Sequence, residues 1–145
     1  CLPLGFPRGM ISTSLPLYIL QSQQAVAIDG LAGGRPRVIY IGLNHNPNYW
    51  PTYMGDSIGR WEGDTLVVET VNFTDRTLMG PQGLPHSDEM RVLERIKLID
   101  NGMTLEDQMQ IEDKKVLKNP WRLRLDFQRR DDFRPAEHIC ETVHP

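Results

Sequence analysis

Residues 90–113, MRVLERIKLIDNGMTLEDQMQIED, most constrain what this chain can fold into. An Asn101-Gly102 dipeptide between two alternating runs is the strongest short-range signal for a β-hairpin, because both turn positions need a positive φ. A two-residue turn there pairs Asp100 with Met103, Leu98 with Leu105, Ile96 with Asp107, Glu94 with Met109 and Val92 with Ile111. One face then carries Lys97 opposite Glu106 and Arg91 opposite Glu112, cross-strand ion pairs suited to water. On the other face Val92, Ile96, Leu98, Leu105, Met109 and Ile111 point inward. Glu94 and Asp107 point inward with them, as diagonal neighbours. Buried carboxylates are costly unless paired or used, so this hairpin carries the clearest functional signal in the sequence.

A second hairpin spans residues 57–73, SIGRWEGDTLVVETVNF. Its Gly63-Asp64 turn pairs Glu62 with Thr65, Trp61 with Leu66, Gly59 with Val68 and Ser57 with Thr70. Gly59 leaves room there for a bend or a close approach. Residues 17–20 and 25–28 read as another hairpin, and 37–41 as the strand after it. Residues 121–128 alternate cleanly, with Trp121, Leu123, Leu125 and Phe127 on one face; Trp121 and Phe127 are assigned to the core. Residues 135–141 read as a final strand opened by Pro135. Residues 1–15, with Pro3, Gly5, Pro7 and Gly9, read as an extended arm. The loop over 74–89 is long enough to suggest a functional excursion.

No stretch shows a sustained 3.6-residue apolar repeat. About eight or nine short strands with antiparallel turn chemistry indicate a single all-β domain over residues 1–145. The preferred architecture is an antiparallel up-and-down barrel of lipocalin-like type, since closure removes exposed edges; a β-sandwich is the runner-up. A barrel of that size encloses packed side chains or one small ligand.

The 145 residues carry a net charge of -3 with both signs interspersed. That lacks the clustered basic footprint of a nucleic-acid binder. No apolar run approaches the ~20 residues of a membrane-spanning helix. The opening at Cys1 has no signal-peptide pattern and reads as a mature or trimmed product. The two cysteines, Cys1 and Cys140, are either unrelated thiols or one disulfide. A disulfide would place the protein in an oxidising compartment and stabilise it by ~4–5 kcal/mol on chain-entropy grounds. Neither spacing nor clustering suggests a zinc site, and no cofactor is implied.

Three groups of side chains are candidates for chemistry. Glu94 and Asp107, in a low-dielectric interior, should titrate as a coupled pair, the arrangement that general acid–base catalysis uses. The alternative is that they are the satisfied partners of an arginine or tyrosine inside the barrel, or lie at its wet mouth. His86, in the long loop before the strand bearing Glu94, supplies a base if loop and barrel mouth converge; otherwise it is a surface-turn histidine. Trp50, Tyr53 and Trp61, with inward-facing Met109, are candidates to line an apolar mouth, against a plain core role. His45 and His144 read as surface residues, and His138 as structural.

At YMGDSIGRWEGDTLVVETVNF and GLPHSDEMRVLERI the chain resembles an uncharacterised family of secreted proteins common in soil bacteria, and the similarity covers nearly all of it. CLPLGFPRGM resembles that family's Cys-containing, proline-rich entry and HICET its terminal Cys-containing strand. The resemblance implies a Cys1–Cys140 disulfide, a secreted or periplasmic location, and a chain that is the C-terminal portion of a longer protein. It brings no activity with it. The family commonly has histidine where this chain has Asp56 and Arg91, so the resemblance implies no three-histidine metal centre here.

Together these features lead to a secreted or periplasmic β-barrel that binds a small, partly apolar ligand inside. One alternative is an acid–base enzyme, of hydrolase or isomerase type, using Glu94, Asp107 and His86. Another is a structural subunit whose loops contact a protein partner.

Overall fold

The computed structural model describes residues 3–12, 16–30 and 36–132. Eight strands form one sheet in chain order: β1 (Tyr18–Gln21), β2 (Ala25–Asp29), β3 (Arg37–Ile41), β4 (Asp56–Glu62), β5 (Thr65–Val71), β6 (Arg91–Ile99), β7 (Thr104–Glu112) and β8 (Trp121–Gln128). The sheet curls into a half-barrel, in keeping with the all-β expectation. Two features depart from a closed up-and-down barrel. β3 and β4 run parallel, because residues 42–55 supply the dozen or more residues that a parallel crossover needs. Among the described residues, β1 and β8 are the two ends of the sheet and do not pair.

Both hairpins have the registers their turns dictate. Glu62 pairs with Thr65 and Trp61 with Leu66; Ile96 pairs with Asp107, Glu94 with Met109 and Lys97 with Glu106. Asn101 and Gly102 take φ of 55° and 85°, and the turn tightens into a 3-10 form over Asp100–Gly102. A methyl on Gly59 would meet the Ile39 side chain at 2.9 Å, so its bare backbone lets β4 pack closely against β3.

The concave face holds the core, with Val26, Ile28, Ile39, Leu66, Val68, Val92, Ile96, Met109 and Ile111 all buried. Alternation breaks down in two places. Leu98, of inward parity, is 60% exposed because it lies beside the turn, at the edge of the concave face. Glu106, of outward parity, is nearly buried beneath Lys97 at 3.3 Å and Arg124 at 2.9 Å. Trp121 and Phe127 are half-buried and pack against the core from β8.

The described part of the N-terminal arm is not extended. Residues Arg8–Ile11 form one helical turn, α1, and Phe6 and Met10 are buried in the core. An apolar pair cannot stay in water when a concave sheet face is open to receive it. The loop over 74–89 is likewise packed, with Thr77, Met79 and His86 buried and Leu78 bridging Pro85. No helix among the described residues is long and apolar enough to cross a membrane. The strand expected at 135–141, the cysteines Cys1 and Cys140, and His138 and His144 lie outside the described residues.

Candidate functional site

A polar layer crosses the middle of the concave face. Arg37 opens β3 with the parity of Ile39, so its side chain points into the core and is 1% exposed. There it meets Glu94 of β6 through two parallel bonds, Nη1 to Oε1 at 2.8 Å and Nη2 to Oε2 at 2.5 Å. Nη2 also donates to the Thr70 hydroxyl at 2.9 Å, and Nε to the Ser57 hydroxyl at 3.2 Å. Ser57 and Thr70 share a further bond at 2.9 Å. The guanidinium lies on the Phe6 ring, 3.7 Å from its centroid. A fully desolvated bidentate pair of this kind has every oxygen of the carboxylate occupied.

Asp107 belongs to the same layer, next to Glu94. It is fully buried, and once protonated it can donate a hydrogen bond to the Glu94 carboxylate beside it. Burial, and then the negative charge of Glu94, push its pKa well above the usual carboxylate range, with Arg37 acting in the opposite sense. The protonated, uncharged form is thereby favoured. In a protein interior nearly every buried polar atom is bonded, and the proton is what lets Asp107 join the layer through Glu94.

Beside the layer lies an open cleft of about 1260 Å³, bounded by β1 and β8. Ile19, Ile28, Leu66, Ile96, Leu105 and Phe127 give it an apolar lining, and Trp61 stands on its rim. Ile28 is the cross-strand partner of Arg37, and Ile96 that of Asp107. The polar layer is therefore one cross-strand step from the cleft floor.

The other sequence-derived candidates fall elsewhere. His86 is 5% exposed; its Nδ1 is 2.9 Å from the Ser87 carbonyl and its Nε2 2.6 Å from the Thr77 hydroxyl. A carbonyl can only accept, so Nδ1 carries the proton and in the neutral ring Nε2 accepts from Thr77. The ring meets Phe73 edge-on, and Phe73 stacks on Phe6. Two aromatic rings thus separate His86 from Arg37. Of the aromatic group, Trp61 is 42% exposed at the cleft while Trp50 is 85% exposed and outside it. Tyr53 is half-buried beside Pro51 and Phe73. Met109 is core, between Glu94 and Leu123.

The convex face holds ion pairs. Arg91 donates to Glu69 at 2.6 Å and lies 3.6 Å from Glu112. That bond to Glu69 raises the pKa of Arg91. His45, read as a surface residue, is held by Asp56 at 2.9 Å, with Nε2 4.0 Å from Glu69. Among the described residues no three His, Cys, Asp or Glu side chains are grouped to hold a metal.

No family model, curated protein or solved structure matches the chain. Arg37, Ser57 and Thr70 of this layer, and Phe6 beneath the guanidinium, are residues to which the sequence pattern assigned no part in a site. The signal for Arg37 was its alternation with Ile39 and Ile41, masked by a glycine-rich approach that makes an arginine look like a strand-end surface residue. The Ser57–Thr70 pair was available from the Gly63-Asp64 turn, which sets the two opposite each other.

Proposed function

We propose that the half-barrel binds a small, partly apolar molecule in the cleft bounded by β1 and β8. The observation that carries this reading is the cleft's lining by Ile28, Leu66, Ile96, Leu105 and Phe127. A concave, mainly apolar site with a few polar groups close by is what small-molecule pockets share. Exposed Tyr18, Ile19, Trp61 and Leu98 extend the apolar surface around the opening, and such patches mark contact sites. The finer reading is a lipocalin-like barrel in an exported protein with a Cys1–Cys140 disulfide; intact-mass measurement of unreduced protein tests the last, a loss of two hydrogens being the expected result. Binding is tested with Nile red and the full chain. Saturable binding with blue-shifted emission is expected, weakened about tenfold by Ile19→Asp or Phe127→Ser and unaffected by Trp50→Ala. Absence of saturable binding, or equal binding by the cleft variants, refutes the proposal.

A second reading is an acid–base enzyme using Glu94, Asp107 and His86. Its specific support is the raised pKa of Asp107 beside Glu94, a coupled pair of the sort that exchanges protons. In that scheme Asp107 is the group with a proton to give, since Arg37 occupies Glu94 and both His86 nitrogens are engaged. The binding reading leads because it rests on an accessible cleft. A structural subunit with a protein partner is the reading left if the cleft proves to bind nothing.

A further inference from the structure

We propose that residues 135–141 occupy the gap between β1 and β8 as a ninth strand, antiparallel to both, and so close the half-barrel. Those residues lie outside the described ones; their place follows from the two edges they would join. Among the described residues each of these strands is paired on one side only, and both line the same cleft. Apart from its shortness, β1 has none of the devices that protect a sheet edge. It reads Tyr18-Ile19-Leu20-Gln21, without charge or proline, and Tyr18 and Leu20 are 43% and 69% exposed.

Strand direction selects a single further strand. Pairing is antiparallel at every step except the parallel β3–β4 step, which leaves β1 and β8 running the same way. One strand of opposite sense between them pairs antiparallel with each. The chain supplies it in the right place. β8 ends at Gln128, and Arg129 and Arg130, which line the cleft, pair with Asp131 and Asp132 at a turn. A chain reversing there runs back along β8 and into the gap. Extended at ~3.3 Å per residue, residues 135–141 cover ~20 Å, close to the length of β8.

Charge decides which way the strand faces. Glu137 and Glu141 share one parity, with Ala136, His138 and Cys140 on the other. Two carboxylates on the concave side would be buried without partners. Turned outward, they meet the convex row of β8, where Arg122 bonds only the neutral Gln110 among the described residues. Pro135 opens the run, where ladder geometry tolerates a proline. Small and medium side chains then face inward, so space remains behind the strand, and the mouth beside Trp61 and Leu98 stays open.

Amide hydrogen exchange on the full chain, read residue by residue by NMR, tests the closure. The Ser22 amide donates to the Ala25 carbonyl and that of Arg129 to the Met103 carbonyl. By antiparallel alternation, the N–H groups of Ile19, Gln21, Arg124 and Asp126 therefore point away from the described ladder. With the gap filled, these four amides should exchange about a hundredfold more slowly than in an unstructured peptide, at every protein concentration. Ile139→Pro removes a donor and interrupts the ladder, so it should return them to fast exchange while β6 and β7 stay protected. Fast exchange of the four in the unmodified chain overturns the proposal. Protection lost on dilution assigns the edges to a second copy and overturns it too, as does protection that survives Ile139→Pro. Should Ile139→Pro not fold, nuclear Overhauser contacts of the 135–141 backbone with Ile19 and Asp126 decide, their absence overturning the closure. Nile red is a separate readout: the cleft reading fails if no dye binds, the closure fails if the edges exchange freely, and neither result fixes the other.

Discussion

Arg37 and Glu94 come together across 57 residues of sequence and join the start of β3 to the middle of β6 at the centre of the molecule. Both are essentially fully buried, so each is tolerable only because of the other. Attraction between buried ions merely offsets what their desolvation costs. The pair therefore does less for net stability than for register. It penalises any arrangement in which β3 or β6 slips by one residue and sends one charge to the surface and leaves the other inside.

Removing one partner should expose that asymmetry. Arg37→Met leaves Glu94 as an uncompensated buried charge and is expected to destabilise the fold by about 3–5 kcal/mol. Arg37→Met combined with Glu94→Leu should recover most of the loss, since no charge remains inside. Urea unfolding of the wild type, the single variant and the double variant measures both steps. A double variant as unstable as the single would show that the pair's worth lies in its bonds to Ser57 and Thr70 instead.

Asp107 sets a pH dependence of definite sign. Its folded pKa is raised above the ordinary value of 3.8, so above that value the native state binds more protons than the unfolded chain. Stability then falls as pH rises from the unfolded pKa through the folded one; it is greatest at the acid end of that window. Asp107→Asn should flatten this slope, because the amide does not titrate. Thermal unfolding at intervals from pH 4 to pH 8 reads the slope. An identical slope in Asp107→Asn would locate the effect in another group.

How far the sequence reveals this site depends on how local each determinant is. The Asn101-Gly102 turn fixes the parity of eighteen strand residues by itself, from Arg91↔Glu112 to Ile99↔Thr104, so Glu94 and Asp107 could be placed inside without knowing the rest of the fold. What they meet is non-local. Arg37 reaches Glu94 only after β3 is laid parallel to β4 by the connection over 42–55, and no short pattern encodes that crossover. The arm at Phe6 and Met10 is illegible for the same reason, because proline and glycine there describe local backbone geometry and not the concave face that receives it. His86 misled differently: a loop position suggests solvent, yet the 74–89 segment folds under itself and closes both ring nitrogens.

His86 is accordingly expected to behave as a structural residue. His86→Ala removes the partner of the buried Thr77 hydroxyl and the edge contact to Phe73, and should cost about 1–3 kcal/mol. Thr77→Val should cost less, since it removes one hydroxyl and keeps the volume. The two losses should fall short of additivity in the double variant, because both delete the same 2.6 Å bond. A double-mutant cycle in urea gives the coupling. Full additivity would mean that the Thr77–His86 bond adds nothing to stability.

Phe6 provides the remaining test, of whether the N-terminal segment belongs to the core or merely rests on it. Its ring lies between the Arg37 guanidinium, 3.7 Å from the centroid, and Phe73, whose centroid is 6.2 Å away. Phe6→Ala opens a cavity at a fully buried position and should cost about 3–5 kcal/mol. Phe6→Leu keeps most of the volume and loses the ring face, so its loss isolates the cation–π contribution, about 2 kcal/mol where both groups are desolvated. That contribution exists only while Arg37 is present. Measured against an Arg37→Met/Glu94→Leu background, which removes the ion pair cleanly, Phe6→Leu should become nearly neutral. If Phe6→Leu costs the same in both backgrounds, packing alone holds the arm in place, and the guanidinium plays no part in fastening it.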